Sequence, residues 1–196
     1  MADLQPIVDF VLELDKLKGV TRRTQPLGLT RYENAAEHSW QIAMLALSLA
    51  HLAAGPVDVD RVVRMLLVHD VGEIDTGDTI VYATEGVAER KAAERAGALR
   101  VLGLLPEAQR GPFIELWEEF EAEVTAESRF ANAVDRAMPV LLNLANNGQS
   151  WRENGIRHEQ VVTRVGPQVK AGCPALWDYL EARLADAHAR GWFTAA

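Results

Sequence analysis

The chain has 196 residues, a formal net charge of −8, 48% hydrophobic and 24% charged residues, and Ala (29) and Leu (23) lead its composition. Such a chain buries about 70% of its unfolded surface and needs no disulfide or structural metal to hold a core. The acidic balance lacks the basic footprint of a nucleic-acid binder, although a local cation site for a small anion fits within it.

The elements predicted in chain order are nearly all helical. Apolar residues at Ile7, Phe10/Val11, Leu14 and Leu17 predict a helix over Leu4 to Lys18. A polar loop from Gly19 to Glu33 follows, carrying Arg22, Arg23 and Arg31. Asn34, with Glu37 three residues on, has the capping-box pattern for a helix reaching about Ala54. Gly55-Pro56 breaks it, and Asp58 caps the next helix, which ends near Gly72. Glu73 to about Glu85 is irregular. Val87 to Leu105 is helical, and Pro106 and Pro112 sit near helix starts. Thr125 caps a helix running to about Asn146; Gly148 and Gly155 mark turns. Two last helices cover about His158 to Lys170 and Pro174 to Arg190. The expectation is one all-α domain over residues 1–196, with about seven to nine helices.

Several polar residues fall on apolar faces. His69-Asp70 ends the run VVRMLLVHDVGE, on faces shared with Val62, Met65 and Leu66. His38 heads a stripe with Ile42, Leu45 and Leu49. Asp135 shares a face with Ala131, Val134, Met138 and Leu142, and Pro139 removes the backbone bond to the carbonyl of residue 135. Inward imidazoles and carboxylates are costly unless paired, hydrogen-bonded or bound to a metal. A lone inward His is usually a core residue with a hydrogen-bond partner. Four such residues on three helices also suit one divalent ion. The residues alone leave both readings open.

ENAAEHS, then HDVGEIDTGD, then AVDRA resembles the HD-domain phosphohydrolase superfamily, with its H…HD…D metal signature. TRRTQPLGLTRYENAAEHS and the GD closing HDVGEIDTGD look most like its 5′-deoxynucleotidase-like branch. The resemblance spans about residues 10 to 145. It implies an all-α HD-domain helical bundle and one divalent ion (Mn, Co, Mg, Fe, Ni or Zn) held by His38, His69, Asp70 and Asp135. It implies hydrolysis of a phosphate ester, with nucleoside 5′-monophosphates as the substrate class. Glu73 resembles the branch's catalytic Glu, and Asp78 its second acid. Arg23 matches the phosphate-contacting Arg, with Arg22 and Arg31 as close competitors. The branch carries Trp after this Arg; here Thr24 stands instead, which loosens the inference about base and sugar.

Two other readings are carried beside it. One is an HD-type phosphodiesterase or (p)ppGpp pyrophosphohydrolase. Dinuclear phosphodiesterases need further His ligands, and only His51, His158 and His188 remain; His51 lies about 220° round the helix from His38. Alarmone hydrolases carry an adjacent Glu-Asp pair, whereas Ile74 separates Glu73 from Asp75. The other is a non-enzymatic helical interaction protein with a relic metal site.

The lone Cys173 and an N-terminus without a basic, apolar leader predict a cytoplasmic protein. No apolar run approaches the roughly 20 residues of a membrane span. Expected partners are a small phosphate ester and a second copy of the chain, with no nucleic acid and no membrane. The homodimer expectation rests on the resemblance and on five Trp in a small chain. Trp151 and Arg152 are placed in a loop, where Trp151 either packs or stacks on a base.

Overall fold

The computed structural model describes residues 3–195, which form helices and no named strand. The helices are α1 (Gln5–Leu14), α2 (Ala35–Leu49), α3 (Val59–Val68), α4 (Glu73–Thr76), α5 (Val87–Leu102), α6 (Glu107–Ala122), α7 (Ala126–Ala145), α8 (Gln149–Glu153), α9 (His158–Gly172) and α10 (Pro174–Ala189). Eight reach ten residues or more; α4 and α8 are single turns.

Side-chain caps mark the starts of α2, α3 and α7. At α2 Asn34 accepts from the Glu37 backbone N–H, and Glu37 accepts in return from that of Asn34. Asp58 caps α3 and Thr125 caps α7. Several ends fall earlier than the periodicity predicts. α1 gives way at Asp15 to a tighter 3₁₀ turn, and α2 does the same at Ala50. α3 stops at Val68, because His69 begins the turn that leads into α4.

α7 is the central helix, packed against α2, α3, α6, α9 and α10, with twelve of its twenty residues buried. It runs through Pro139 without a break in the helix. α3 lies beside it with Val62, Met65 and Leu66 fully buried. Burial of each such side chain contributes about 1.5–3 kcal/mol. That offsets the cost of turning His69 and Asp70 inward from the same helix end.

The loop before α2 is more ordered than a plain connection. Thr21 and Asn34 form an isolated antiparallel bridge. The Arg22 N–H donates to the Glu33 carbonyl at 2.9 Å, and the Glu33 N–H to the Thr24 carbonyl at 2.8 Å. This clasp fixes Arg22, Arg23 and Glu33 against the helices. Gly72 fixes the other side. A Cβ there would meet the Glu94 carbonyl oxygen at 2.3 Å, so only glycine lets α4 approach α5 so closely. Gly77, at φ 74°, then turns the chain so that Asp78 comes back toward α3. No helix among the described residues is long and apolar enough to cross a membrane.

Candidate metal centre and its cavity

Three helices deliver the central cluster. His38 sits one turn into α2, held by its backbone bond to the Asn34 carbonyl. His69 follows α3, its carbonyl accepting from the Trp117 indole N–H at 3.0 Å. Asp135 comes from the middle of α7. Ligand atoms of His38, His69 and Asp135 lie within 4.8 Å of one another, and all three residues are buried. His38 Nε2 is 2.9 Å from Asp135 Oδ1, and His69 Nε2 is 3.7 Å from the same oxygen. Asp70 joins through Oδ1, 2.9 Å from His69 Nε2.

The unsatisfied atoms of the donor set fit a divalent ion. His69 Nδ1 lies 2.9 Å from the Leu66 carbonyl, an acceptor only, so Nδ1 carries the hydrogen. The Nε2 lone pair is left facing the carboxylates, and this buried atom has no hydrogen-bond partner. Such outer bonds are how proteins orient metal-ligating imidazoles. His38 Nδ1 is likewise buried without a partner, 3.7 Å from Glu33 Oε2. Both imidazoles turn Nε2 toward the Asp70 and Asp135 carboxylates, and two imidazole nitrogens with two carboxylates suit a divalent cation.

The electrostatics agree. Burial alone would lower the His69 imidazole, but the Asp70 and Asp135 carboxylates outweigh it and push it up to about 10. At His38 burial wins, with Arg22 adding repulsion, and the imidazole falls to about 4. Burial would raise Asp135, yet the hydrogen bond from His38 and the nearby His69 and Arg136 hold it well below the usual carboxylate range. Positive charge is favoured where His69 Nε2 meets these carboxylates, and a metal cation meets the same field.

A cavity of about 180 Å³ opens beside the cluster. His69, Asp70, Glu73, Asp78 and Asp135 line its polar floor, with Arg22 and Arg23 beside them. Ile80, Val81, Tyr82, Val140, Trp151 and Val165 form an apolar wall. Burial and the neighbouring Asp70 push the Glu73 carboxyl up to about 9, and its Oε2 is buried without a partner. Burial also raises Asp78, against the pull of Arg22.

The three candidate arginines separate. Arg22 Nη1 donates to Asp70 Oδ2 at 2.9 Å and lies 3.4 Å from Asp78 Oδ1; its Nε is 3.8 Å from Glu33 Oε2. Its charge is thus committed to protein carboxylates. Arg23 lines the cavity and is exposed, with no ion pair among the described residues. Arg31 points away, its guanidinium on Glu37 at 2.8 Å and on the Tyr32 carbonyl, and it does not line the cavity. The remaining histidines lie elsewhere: His51 is exposed, and His158 stacks on His188 with ring centroids 4.8 Å apart.

Two residues that the pattern did not single out belong here. Glu33 is 2% exposed and accepts from the Thr24 hydroxyl at 3.0 Å. The clasp turns it inward, and no helical periodicity reports that. Thr24 is thus a buried partner of Glu33 as well as part of the cavity lining. Arg136 also lines the cavity. Its signal was a charge among Ala133, Val134 and Ala137 on a buried helix. Trp151 lies in α8, not in a loop, and is 1% exposed, stacked on Phe193 at 4.3 Å.

Residues 14–177 match the HD domain family. The chain superposes on the crystal structure of a predicted metal-dependent phosphohydrolase from Magnetospirillum magnetotacticum, with TM-score 0.91, 40% identity and 98% of each chain covered. A 5′-deoxynucleotidase of Homo sapiens is 29% identical over 136 residues, 67% of this chain and 65% of the relative. One from Escherichia coli is 32% identical over 118 residues, 56% of this chain and 59% of that relative. The chain therefore spans about two-thirds or less of the length of these curated relatives. With a match across most of its length and an all-α fold that brings the two histidines and two aspartates together, the chain belongs to the HD domain family.

Proposed function

We propose that the chain is a metal-dependent phosphohydrolase that releases phosphate from nucleoside 5′-monophosphates, ribo- or deoxyribo-. The observation that carries this reading is the convergence of His38, His69, Asp70 and Asp135, the last three of which line a cavity that also holds Glu73 and Arg23. The 5′-deoxynucleotidases among its relatives support the nucleotide class. The placement of His51, His158 and His188 outside the cluster favours one ion and a monoester over a dinuclear phosphodiesterase.

His38, His69, Asp70 and Asp135 would hold the ion. A divalent ion there supplies Lewis acidity to the phosphoryl group and to the attacking water. Glu73 is assigned proton transfer at the reacting water: its buried, unpartnered oxygen faces the polar floor. Asp78 is assigned a positioning role, tied through Arg22 to Asp70. Arg23 is assigned the phosphate, since its cation has no protein partner among the described residues. The apolar wall with Tyr82 and Trp151 excludes water and suits the nucleoside.

We read residues 1–196 as one domain with one contiguous core, acting in the cytoplasm without nucleic-acid or membrane partners. The homodimer is proposed on the outer face of α2. Trp117, Trp151 and Trp177 are core residues, but Trp40 is 64% exposed, with Met44 and Leu47 about half exposed one and two turns on. Light scattering at micromolar concentration tests it, and a monomer would refute it. The activity is tested with a panel of nucleoside monophosphates, diphosphates and cyclic nucleotides across several divalent metals. Selective phosphate release from 5′-monophosphates supports the reading; turnover of cyclic substrates or diphosphates alone replaces it.

A further inference from the structure

Arg136 follows Asp135 on α7 and lines the cavity. Its side chain is 32% exposed, but its Nε is buried and has no hydrogen-bond partner. The nearest carboxylate oxygen, Asp135 Oδ2, is 3.8 Å away, beyond hydrogen-bond reach. A buried N–H without an acceptor is destabilising, and native structures rarely keep one without a reason. None of the floor's acceptors bonds this Nε: Asp135 Oδ1 is engaged by His38 and Asp70 Oδ2 by Arg22.

A phosphate monoester brings up to two negative charges into this acidic floor. Arg22 cannot neutralise them, because Asp70, Asp78 and Glu33 already surround it. Arg23 and Arg136 remain, one from the clasp before α2 and the other from the central helix. We propose that Arg136 is a second phosphate-binding cation, its Nε–H and outer nitrogens donating to non-bridging oxygens of the substrate phosphate. This rests on the phosphohydrolase reading for the identity of the ligand. Arg136 stands in the AVDRA run, but the resemblance gives it no role; the cavity and the orphaned Nε do. Guanidinium suits the role, since its planar fork offers parallel donors to a phosphate.

The test uses the metal-loaded full chain and inorganic phosphate, the product, as the probe. Binding is measured by calorimetry for wild type, Arg136→Gln and Arg136→Lys, with bound metal measured on each sample and folding checked by circular dichroism. Loss of a charge-assisted bond predicts phosphate affinity about tenfold or more weaker in Arg136→Gln, with metal content unchanged and partial recovery in Arg136→Lys. With a nucleoside 5′-monophosphate, KM should rise by a similar factor while kcat changes less. Should Arg136→Gln not fold, the Lys variant carries the test through a smaller loss of the same sign. Phosphate affinity within twofold of wild type in the folded variants overturns the proposal. So does a loss that tracks missing metal, which would make Arg136 a support of Asp135 only. Wild-type protein that binds phosphate in this Arg136-dependent way but hydrolyses no monophosphate leaves Arg136 in place and removes the activity reading instead. Wild-type protein that binds no phosphate removes the Arg136 proposal.

Discussion

The His69 imidazole gives its Nδ1 hydrogen to the Leu66 carbonyl one turn back, at 2.9 Å. That bond fixes the tautomer and leaves the Nε2 lone pair toward Asp70 and Asp135. The helix end thus supplies both a candidate ligand and its orientation. His38 on α2 and Asp135 on α7 complete the group from outside α3. Replacing His38 or Asp135 with Ala should therefore remove metal and activity together. Elemental analysis of the purified variants checks this; full occupancy in both would rule out the assignment.

Glu73 lies outside the four-residue set. Glu73→Ala should keep its metal and lose turnover by on the order of 10²–10⁴ if the residue moves a proton. Single-turnover rates on metal-loaded protein decide it. A loss of metal equal to the loss of rate would make Glu73 a ligand instead.

The arginines should separate as their environments do. Arg23→Ala should raise KM with little change in kcat. Arg31→Ala should stay near wild type, since its exposed pair with Glu37 contributes little. Arg22→Ala should destabilise the fold by about 3–5 kcal/mol, because Asp70 and Asp78 would lose their buried counter-charge. Steady-state kinetics and thermal melts on the three variants test the set. A larger KM effect for Arg31→Ala than for Arg23→Ala would move the phosphate site.

Much of this arrangement could be read from the chain because α-helical periodicity reports which way a side chain faces. His38, Asp135 and His69-Asp70 were each recognisable as polar residues on apolar stripes. Caps at Asn34, Asp58 and Thr125 marked helix starts through local chemistry. The residues missed are set by non-local contacts. Glu33 turns inward because Thr21 pairs with Asn34 across the clasp. Arg31 turns outward because Glu37, in the first turn of α2, is within reach. Trp151 is buried because Phe193, 42 positions later, stacks on it. Helix ends ran short where Asp15 and Ala50 tighten into 3₁₀ turns, which have the same apolar spacing over a few residues.

That C-terminal aromatic group gives a pH prediction. Burial first, and then His188, lowers His158 below its ordinary 6.5. The unfolded chain therefore takes up a proton there before the folded one does. Stability from this site is complete above 6.5 and is lost as pH falls through the window below it. Thermal melts at about pH 7.5 and about pH 5 should show a larger drop for wild type than for His158→Gln. Equal drops would show that His158 carries none of the dependence.

The most direct measurement is a metal titration of the stripped full chain, with phosphate release from a nucleoside 5′-monophosphate followed alongside bound metal. Stripped protein should be inactive. Activity should rise linearly with Mn, Co or another suitable divalent ion and level off at one ion per chain, and the same titration on Asp135→Ala should stay flat. Full activity in stripped protein, or a plateau reached only at two ions per chain, would contradict a single catalytic ion held by His38, His69, Asp70 and Asp135.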